Sequence, residues 1–395
     1  MRAHVYPLDA VRFFAAFSVM LFHLGFYGWA SEHSTVADMM HDATTYPEIA
    51  PLTWFGWIGV EVFFVISGFV IANSANNASP IAFAKSRVLR LYPAVWVCAP
   101  LTLAAWLLIN HNAPRDLVGE FLRSMTLWIE GQWIDGVYWS LAVEMVFYAF
   151  IFVLLVANGF SRLTWAAWAL LVASATFLGL RFFFGHELDG APLWNFIRDH
   201  SDVLLVRYGV FFALGIFMWL ASQRGGLSWR GWAGVGLAAL GGLFEIALRV
   251  RELMAGEVHA NVTLSALPPS LVWLVAVALM FIFVRAPALF TPRQQRTQDM
   301  MKRVGQMTYP LYLVHAVAGA GLMRVMASAG VDRWIVLGAT VVLMTGVAYA
   351  VARFAEPSIR SALRAAWDRG EALLKRAPPL AILFRPGGNV PGRAA

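Results

Sequence analysis

The sequence predicts an all-α fold, a polytopic membrane helix bundle of about ten transmembrane helices. Of its 395 residues, 59% are hydrophobic and only 13% are charged, about half the charged share of a soluble domain. The mean hydropathy is +0.64. Apolar runs of about 20 residues, enough to cross the hydrocarbon core of a bilayer, recur along the chain. The 17 Trp and 29 Phe residues supply rings that anchor such segments at membrane interfaces.

Each apolar run is expected to be helical, because lipid offers no partner for backbone polar groups. The first run contains Arg12 and is not followed by a small-residue cleavage site. We therefore expect a retained helix there and not a signal peptide. The predicted spans are 8–28, 54–74, 92–110, 138–158, 163–185, 202–222, 230–249, 268–285, 306–328 and 332–354.

The distribution of positive charge predicts the orientation of the chain. With a cytoplasmic N-terminus, 20 of the 30 Lys and Arg residues fall in segments on the inner side. Cytoplasmic segments carry this excess in membrane proteins, so both termini are expected in the cytoplasm. The net charge of +7 thus has a topological explanation. The lipid bilayer is the expected partner, and no nucleic acid is.

The domain organisation is expected to be simple, with a transmembrane domain over residues 5–357 and a tail over 358–395. The tail begins as a basic amphipathic stretch, 359–376, which we expect on the anionic inner leaflet. Its end, after Pro378 and Pro379, has a composition typical of disorder. A single cysteine, Cys98, excludes a disulfide framework and argues against a cysteine-built metal site; no metal is expected.

Arg12 and His23 are the two ionisable residues that draw attention in the first span. Eleven residues of α-helix return them to nearly one face, about 16 Å apart along the axis. Ionisable side chains within a membrane usually mark a functional interior. Two simpler interpretations remain open. His23 could be hydrogen-bonded to a neighbouring helix, and Arg12 could reach lipid phosphates or pair with Asp9.

The second span contains a carboxylate at Glu61 and a small-residue pair at Ser67 and Gly68. A buried carboxylate needs a proton or a partner, and Glu61 lies at the predicted depth of His23. We therefore hypothesise a Glu61–His23 hydrogen bond, which would orient the imidazole and raise its basicity. Ser67 and Gly68 could instead mark a close contact between helices.

Polar residues at helical spacing recur at the third and fourth spans. Arg87 and Arg90 are three residues apart on one face. They could clamp a phosphate group, because guanidinium binds phosphate through two hydrogen bonds, or they could only determine topology. Ser140 and Glu144 share a face of the fourth span. Glu144 is thus a second intramembrane carboxylate.

The last motif places Tyr312 and His315 three residues apart, a spacing more typical of a buried polar contact than of a catalytic unit. Taken in order, these motifs resemble the acyltransferase-3 family of multispan bacterial O-acyltransferases over residues 5–357. The motifs that carry the resemblance are Arg12…His23, residues 63–69, Arg87-x-x-Arg90-x-x-Pro93, Trp139-Ser140-Leu141…Glu144 and Tyr309-x-x-Tyr312-x-x-His315, with softer matches at Arg207…Gly215 and Glu356-Pro357.

This resemblance implies acyl transfer, usually of acetyl, from acyl-coenzyme A to a hydroxyl of a sugar, polysaccharide or glycolipid. It also implies the bacterial inner membrane, and a chain without the fused SGNH domain of some members. Relatives often have aspartate at the position of Glu61. Acyl-CoA acts as the substrate that donates the acyl group, and no permanently bound cofactor is expected.

The residue roles that follow are expectations. Arg87, Arg90 and Arg12 would bind the phosphates of acyl-CoA. The pantetheine arm would run along the Arg12–His23 face. His23, oriented by Glu61 or Glu144, would be the base or would carry the acyl group covalently. Ser67 and Ser140 would contact the acyl donor or stabilise the oxyanion. Activity should fall when the imidazole becomes protonated.

Two other function classes stay open on the sequence. A transporter or flippase of a glycoconjugate would also line its path with ionisable groups. A polytopic partner of a polysaccharide assembly complex would need no catalytic residue. Transfer of label from acetyl-CoA distinguishes an enzyme from both.

Overall fold

The structure, a computed structural model, describes residues 5–31, 33–109, 116–223, 225–259, 262–375 and 382–385. Over these ranges the chain is helical and has no strand, which confirms the predicted all-α class. The helices are α1 (Tyr6–Phe22), α2 (Gly28–Ala30), α3 (Thr35–Met40), α4 (Ala50–Thr53), α5 (Gly59–Ala75), α6 (Pro80–Ile109), α7 (Leu117–Thr126), α8 (Tyr138–Val156), α9 (Leu163–Leu188), α10 (Pro192–Asp199), α11 (Gly209–Ser222), α12 (Trp229–Glu252), α13 (Leu267–Arg285), α14 (Pro287–Phe290), α15 (Gln295–Val314), α16 (Val317–Ser328), α17 (Arg333–Ala350) and α18 (Glu356–Leu374). Three π-helical turns (His23–Tyr27, Leu253–Glu257, Val351–Ala355) and two 3-10 turns (Gly56–Ile58, Phe160–Arg162) adjoin them.

The described residues contain eight helical segments long and apolar enough to cross a membrane, or nine if α15 and α16 form one bent span. The prediction of about ten spans differs at two segments. The predicted sixth span, 202–222, is helical only over the 14 residues of α11. A helix of that length extends about 21 Å, short of a hydrocarbon core of about 30 Å. Its side chains are buried from Gly209 to Ala221, so its apolar sequence reflects the protein core.

The predicted ninth span, 306–328, is bent by 69° between α15 and α16. At the bend, the Val317 N–H donates to Oδ2 of Asp135 at 3.0 Å, and Asp135 is fully buried. A helix start needs acceptors for its free N–H groups, and this carboxylate supplies one from the loop before α8. The bend leaves His315 at the end of α15, inside the bundle.

Helix α1 packs against both α5 and α15. Its α-helical geometry ends at Phe22, and the chain continues as a π-helical turn from His23 to Tyr27. Such π-turns are rare and frequently occur at functional sites. The change of geometry therefore coincides with the histidine that the sequence singled out.

Helices α5 and α11 pack closely through Gly68 and Gly215. A Cβ atom built on Gly215 would lie 2.1 Å from the Val65 carbonyl oxygen and 2.7 Å from the Phe69 nitrogen. Both are backbone atoms, which cannot rotate away. The interpretation of Ser67-Gly68 as a close helix contact is thus confirmed at Gly68, which lies against the Phe212 carbonyl.

We expect Gly215→Ala to destabilise the protein by about 1–3 kcal/mol or more, because overpacking against backbone forces the helices apart. Thermal unfolding in detergent measures the effect. The matched control is Gly236→Ala on α12, where the added Cβ meets nothing within 4 Å. The control should be neutral or slightly stabilising, since alanine is the better helix former. Equal unfolding temperatures for the two variants would contradict the prediction.

The chain is helical from α17 through the turn at 351–355 into α18. The predicted amphipathic tail is thus a helix, and it packs against α6. Lys85 of α6 forms ion pairs with Asp368 and, at 3.7 Å, with Glu371. The predicted disordered end, after Pro379, lies outside the described residues except for 382–385, which contain a short 3-10 turn.

Candidate active site

A cavity with about 750 Å³ of empty space, its solvent-open mouth included, lies among α1, α5, α6, α8 and α15. Six of the eight site residues expected from the sequence line it. The other two, His23 and Glu61, do not. Apolar side chains of α5 form much of its wall. Its polar lining comprises Arg12, Ser67, Arg87, Arg90, Ser140, Glu144, Tyr148, Thr308, Tyr309 and Tyr312.

Three arginines give the cavity a cationic end. Arg87 lies 5.7 Å from the ring centre of Tyr148, and Arg90 lies 6.0 Å from that of Tyr309. Among the described residues, neither guanidinium has a carboxylate oxygen within 4 Å. Arg12 pairs with Asp9 at 3.3 Å, as one of the sequence interpretations expected. Cations inside a bundle are costly unless another group compensates their charge, so the pair on α6 is chemically suited to an anionic ligand.

Glu144 occupies the middle of the cavity and is held by two hydroxyl groups. Ser67 Oγ and the Tyr148 hydroxyl both donate to its Oε1, each at 2.6 Å. Its other oxygen, Oε2, has no hydrogen-bond partner in the described part of the chain. The expectation that Glu144 orients His23 is therefore wrong in this structure, because its contacts are with α5 and with its own helix.

The inner end of the cavity is formed by Ser140 and Tyr312, whose hydroxyl oxygens lie 2.6 Å apart. The Tyr312 ring packs edge-on against Phe63, with centres 5.8 Å apart. On the far side, the Tyr312 ring centre is 5.9 Å from that of His315. Tyr312 thus lines the cavity and also contacts one histidine of a pair.

The pair consists of His23 and His315, and its proton positions follow from its contacts. His315 Nδ1 lies 3.0 Å from the Leu311 carbonyl oxygen, which can only accept, so Nδ1 carries the proton. His315 Nε2 is then an acceptor. It lies 3.0 Å from His23 Nδ1, which also lies 3.0 Å from the Val19 carbonyl and therefore carries its own proton.

This arrangement leaves the lone pair of His23 Nε2 free. The nitrogen makes no hydrogen bond to a described residue, and His23 is half-buried whereas His315 is fully buried. A neutral imidazole with a fixed tautomer and one accessible lone pair can act as a base or as a nucleophile. Its orienting partner is a second histidine.

The hypothesised Glu61–His23 hydrogen bond is wrong. Glu61 is buried, and its Oε2 has no hydrogen-bond partner among the described residues. It faces a charged cluster, where its electrostatic neighbours include Glu245 and Arg207. Equal depth of two residues does not imply that their helix faces meet, and here α5 turns Glu61 away from α1.

The charged cluster was not predicted, apart from a soft match at Arg207. Arg207 Nε donates to Glu245 Oε1 at 3.1 Å, and its Nη2 donates to Glu252 Oε2 at 2.7 Å. Arg181 also pairs with Glu252. The available signal was the pair of carboxylates on α12, at or near the end of a predicted span. These ion pairs connect α9 and α12 to the segment before α11.

His315 was not predicted as the partner of His23. The signal available was its place in Tyr309-x-x-Tyr312-x-x-His315, which was taken for a buried polar contact. Tyr148, which binds Glu144, was also missed, although its i, i+4 spacing from Glu144 on one helix was visible.

Comparisons with known proteins identify the family of the chain. The chain matches the acyltransferase-3 family, described as an acyltransferase domain, over residues 5–353. It is 33% identical over 117 residues to a Komagataeibacter xylinus protein described as "Putative membrane-bound transacylase BcsY". That similarity covers 25% of this chain and 30% of the relative. No solved structure matches the chain. Because the family match extends over nearly the whole chain, whose helices are long and apolar, the protein belongs to the acyltransferase-3 family and is a multi-pass membrane protein.

Proposed function

We propose that the protein transfers an acyl group, acetyl in the simplest case, from acyl-coenzyme A to a hydroxyl of a cell-surface sugar, polysaccharide or glycolipid. The reaction takes place in the bacterial inner membrane, with both termini in the cytoplasm. The observation that carries the proposal is a cationic cavity lined by Tyr312, whose ring contacts His315, the hydrogen-bonded partner of a histidine with a free lone pair.

The cavity suits the acyl donor in shape and charge. Coenzyme A is a polyanion with a long, narrow pantetheine arm. Its diphosphate would contact Arg87 and Arg90, with Arg12 nearby, because guanidinium groups bind phosphate oxygens bidentately. The arm would extend past Ser67 and Glu144 toward Tyr312, which brings the thioester next to the histidine pair.

The chemistry at His23 has two balanced forms. As a base, Nε2 takes the proton of the acceptor hydroxyl while the oxygen attacks the thioester carbonyl; the C–S bond breaks, and the thiolate recovers the proton. As a carrier, Nε2 attacks the thioester and releases the thiolate. The acceptor oxygen then takes the acyl group from the imidazole and passes its proton to the thiolate. His315 holds the required tautomer in both forms.

The test is label transfer by purified protein. Labelled acetyl-CoA is added to membranes of a strain that lacks the gene, with and without the protein in detergent. We expect label in surface glycans only when the protein is present, and the glycans of the deletion strain should lack the acetyl mass increment. A transporter or flippase would transfer no label and would overturn the proposal.

Loss of the cavity cations is expected to weaken binding of the acyl donor. Arg87→Ala or Arg90→Ala should raise KM for acetyl-CoA about tenfold to a hundredfold, the usual effect of losing a hydrogen bond to a charged group. Initial rates across acetyl-CoA concentrations measure it. The control is Arg353→Ala, an exposed arginine near the end of α17 that lies outside the cavity. An unchanged KM in both cavity variants would contradict the assigned role.

A further inference from the structure

A second, open groove of about 1100 Å³ lies where α18 packs beside α6 and α15. Its lining includes four cations, Lys85, Arg90, Arg360 and Arg364, and no carboxylate. Arg90 also lines the donor cavity. The groove and the cavity therefore share a wall residue, and a ligand with phosphates at both ends of a nucleotide could contact both.

Some of the cations that line the groove form ion pairs with carboxylates of α18. Arg360 donates to Glu356 at 2.5 Å and to the Leu89 carbonyl oxygen at 3.0 Å, and Lys85 is paired with two carboxylates of the same helix. These contacts hold α18 against α6. The carboxylates in these ion pairs are Glu356, Asp368 and Glu371 of α18.

Two groove cations remain without such a partner. In the described part of the chain, Arg90 and Arg364 have no carboxylate oxygen within 4 Å. Arg364 is exposed on α18, and Arg90 is half-buried between the groove and the cavity. Ser86 and Gln306 add neutral polar groups to the same lining. The groove is thus an anion site with one cation at its surface and one at its inner edge.

We propose that this groove binds the 3′-phosphorylated nucleotide end of the acyl donor, with Arg364 of α18 as the contact to the 3′-phosphate. The inference rests on the proposed function and extends it, because it assigns the tail helix to the donor site. In coenzyme A the ribose holds the 5′-diphosphate and the 3′-phosphate apart, which matches Arg90 at the inner edge of the groove and Arg364 at its surface. The adenosine would lie in the open part, against the polar side chains.

The test compares two ligands that differ only in the 3′-phosphate. The protein is placed in phosphatidylcholine nanodiscs, and binding of coenzyme A and of 3′-dephospho-coenzyme A is measured by calorimetry. We expect the parent protein to prefer coenzyme A about tenfold, as for one charge-assisted contact. Arg364→Ala should remove that preference and leave the affinity for the dephospho ligand unchanged. Arg364→Lys should restore part of it.

The matched control is Arg369→Ala, an exposed arginine of the same helix that does not line the groove. It should keep the parent preference. If Arg364→Ala lost affinity equally for both ligands, or lost no affinity for coenzyme A, the assignment would be overturned. The assignment would also be overturned if Arg364→Ala changed the preference for coenzyme A only in nanodiscs that contain anionic lipid. The phosphate bound at Arg364 would then belong to a lipid headgroup. Failure of the parent protein to bind coenzyme A at all would instead overturn the proposed function.

Discussion

Replacement of His23 by alanine is expected to lower acyl transfer about 10³-fold or more, the usual loss when a base or nucleophile is removed. Of the four ring nitrogens in the histidine pair, His23 Nε2 is the one that makes no hydrogen bond to a described residue. Its lone pair is therefore free. The measurement is label transfer from acetyl-CoA in detergent. Coenzyme A binding should be unchanged, because His23 does not line the cationic cavity.

A second variant separates chemistry from folding. His23→Gln keeps a polar side chain of similar length beside His315 but supplies neither a base nor a nucleophile. It should unfold at nearly the parent temperature and be as inactive as the alanine variant. Transfer above about a tenth of the parent rate in His23→Gln would rule out both proposed roles of the imidazole, since either role supplies at least about a hundredfold.

The two roles of His23 differ in what happens without an acceptor. A covalent carrier forms acyl-enzyme and free coenzyme A, so labelled coenzyme A should exchange into unlabelled acetyl-CoA, as in ping-pong catalysis. A general base gives no exchange until the acceptor hydroxyl is present. The exchange assay therefore distinguishes the routes with the donor alone, before the acceptor is identified.

The parts of the site that the sequence predicted are those set by local helix geometry. Arg87 and Arg90 share a face because they are three residues apart on α6, and Ser140 and Glu144 share one on α8. Their order along the chain, read against a known family, indicated which helices face one cavity. Hydropathy also predicted the same depth in the membrane for Glu61 and His23, which leaves open which side chains meet.

Contacts between helices could not be predicted in this way. His23 and His315 are 292 residues apart, and they meet where α1 packs against α15, next to the 69° bend between α15 and α16. At that bend the Val317 N–H donates to Asp135, a loop residue with no periodic signal. Hydropathy likewise cannot tell a lipid-facing helix from a buried one, which is why the short core helix α11 was taken for a span.

The orienting role of His315 leads to the second large effect. His315→Leu removes one of the two acceptors at the His23 Nδ1 proton and leaves only the Val19 carbonyl. It should lower kcat about 10- to 100-fold, the usual loss when an orienting partner of a functional histidine is removed. KM for acetyl-CoA should stay the same, because His315 is fully buried and outside the cavity. Steady-state kinetics in detergent measure the two constants separately.

His315→Gln is the variant that tests orientation against packing. Its amide oxygen can accept the His23 Nδ1 proton much as Nε2 does, so it should recover a large part of kcat relative to leucine. Leucine fills a similar volume, and a purely structural role would therefore make it the milder of the two substitutions. Equal kcat in both variants, or a lower kcat in His315→Gln, would show that the hydrogen bond between the histidines does not orient the reacting group.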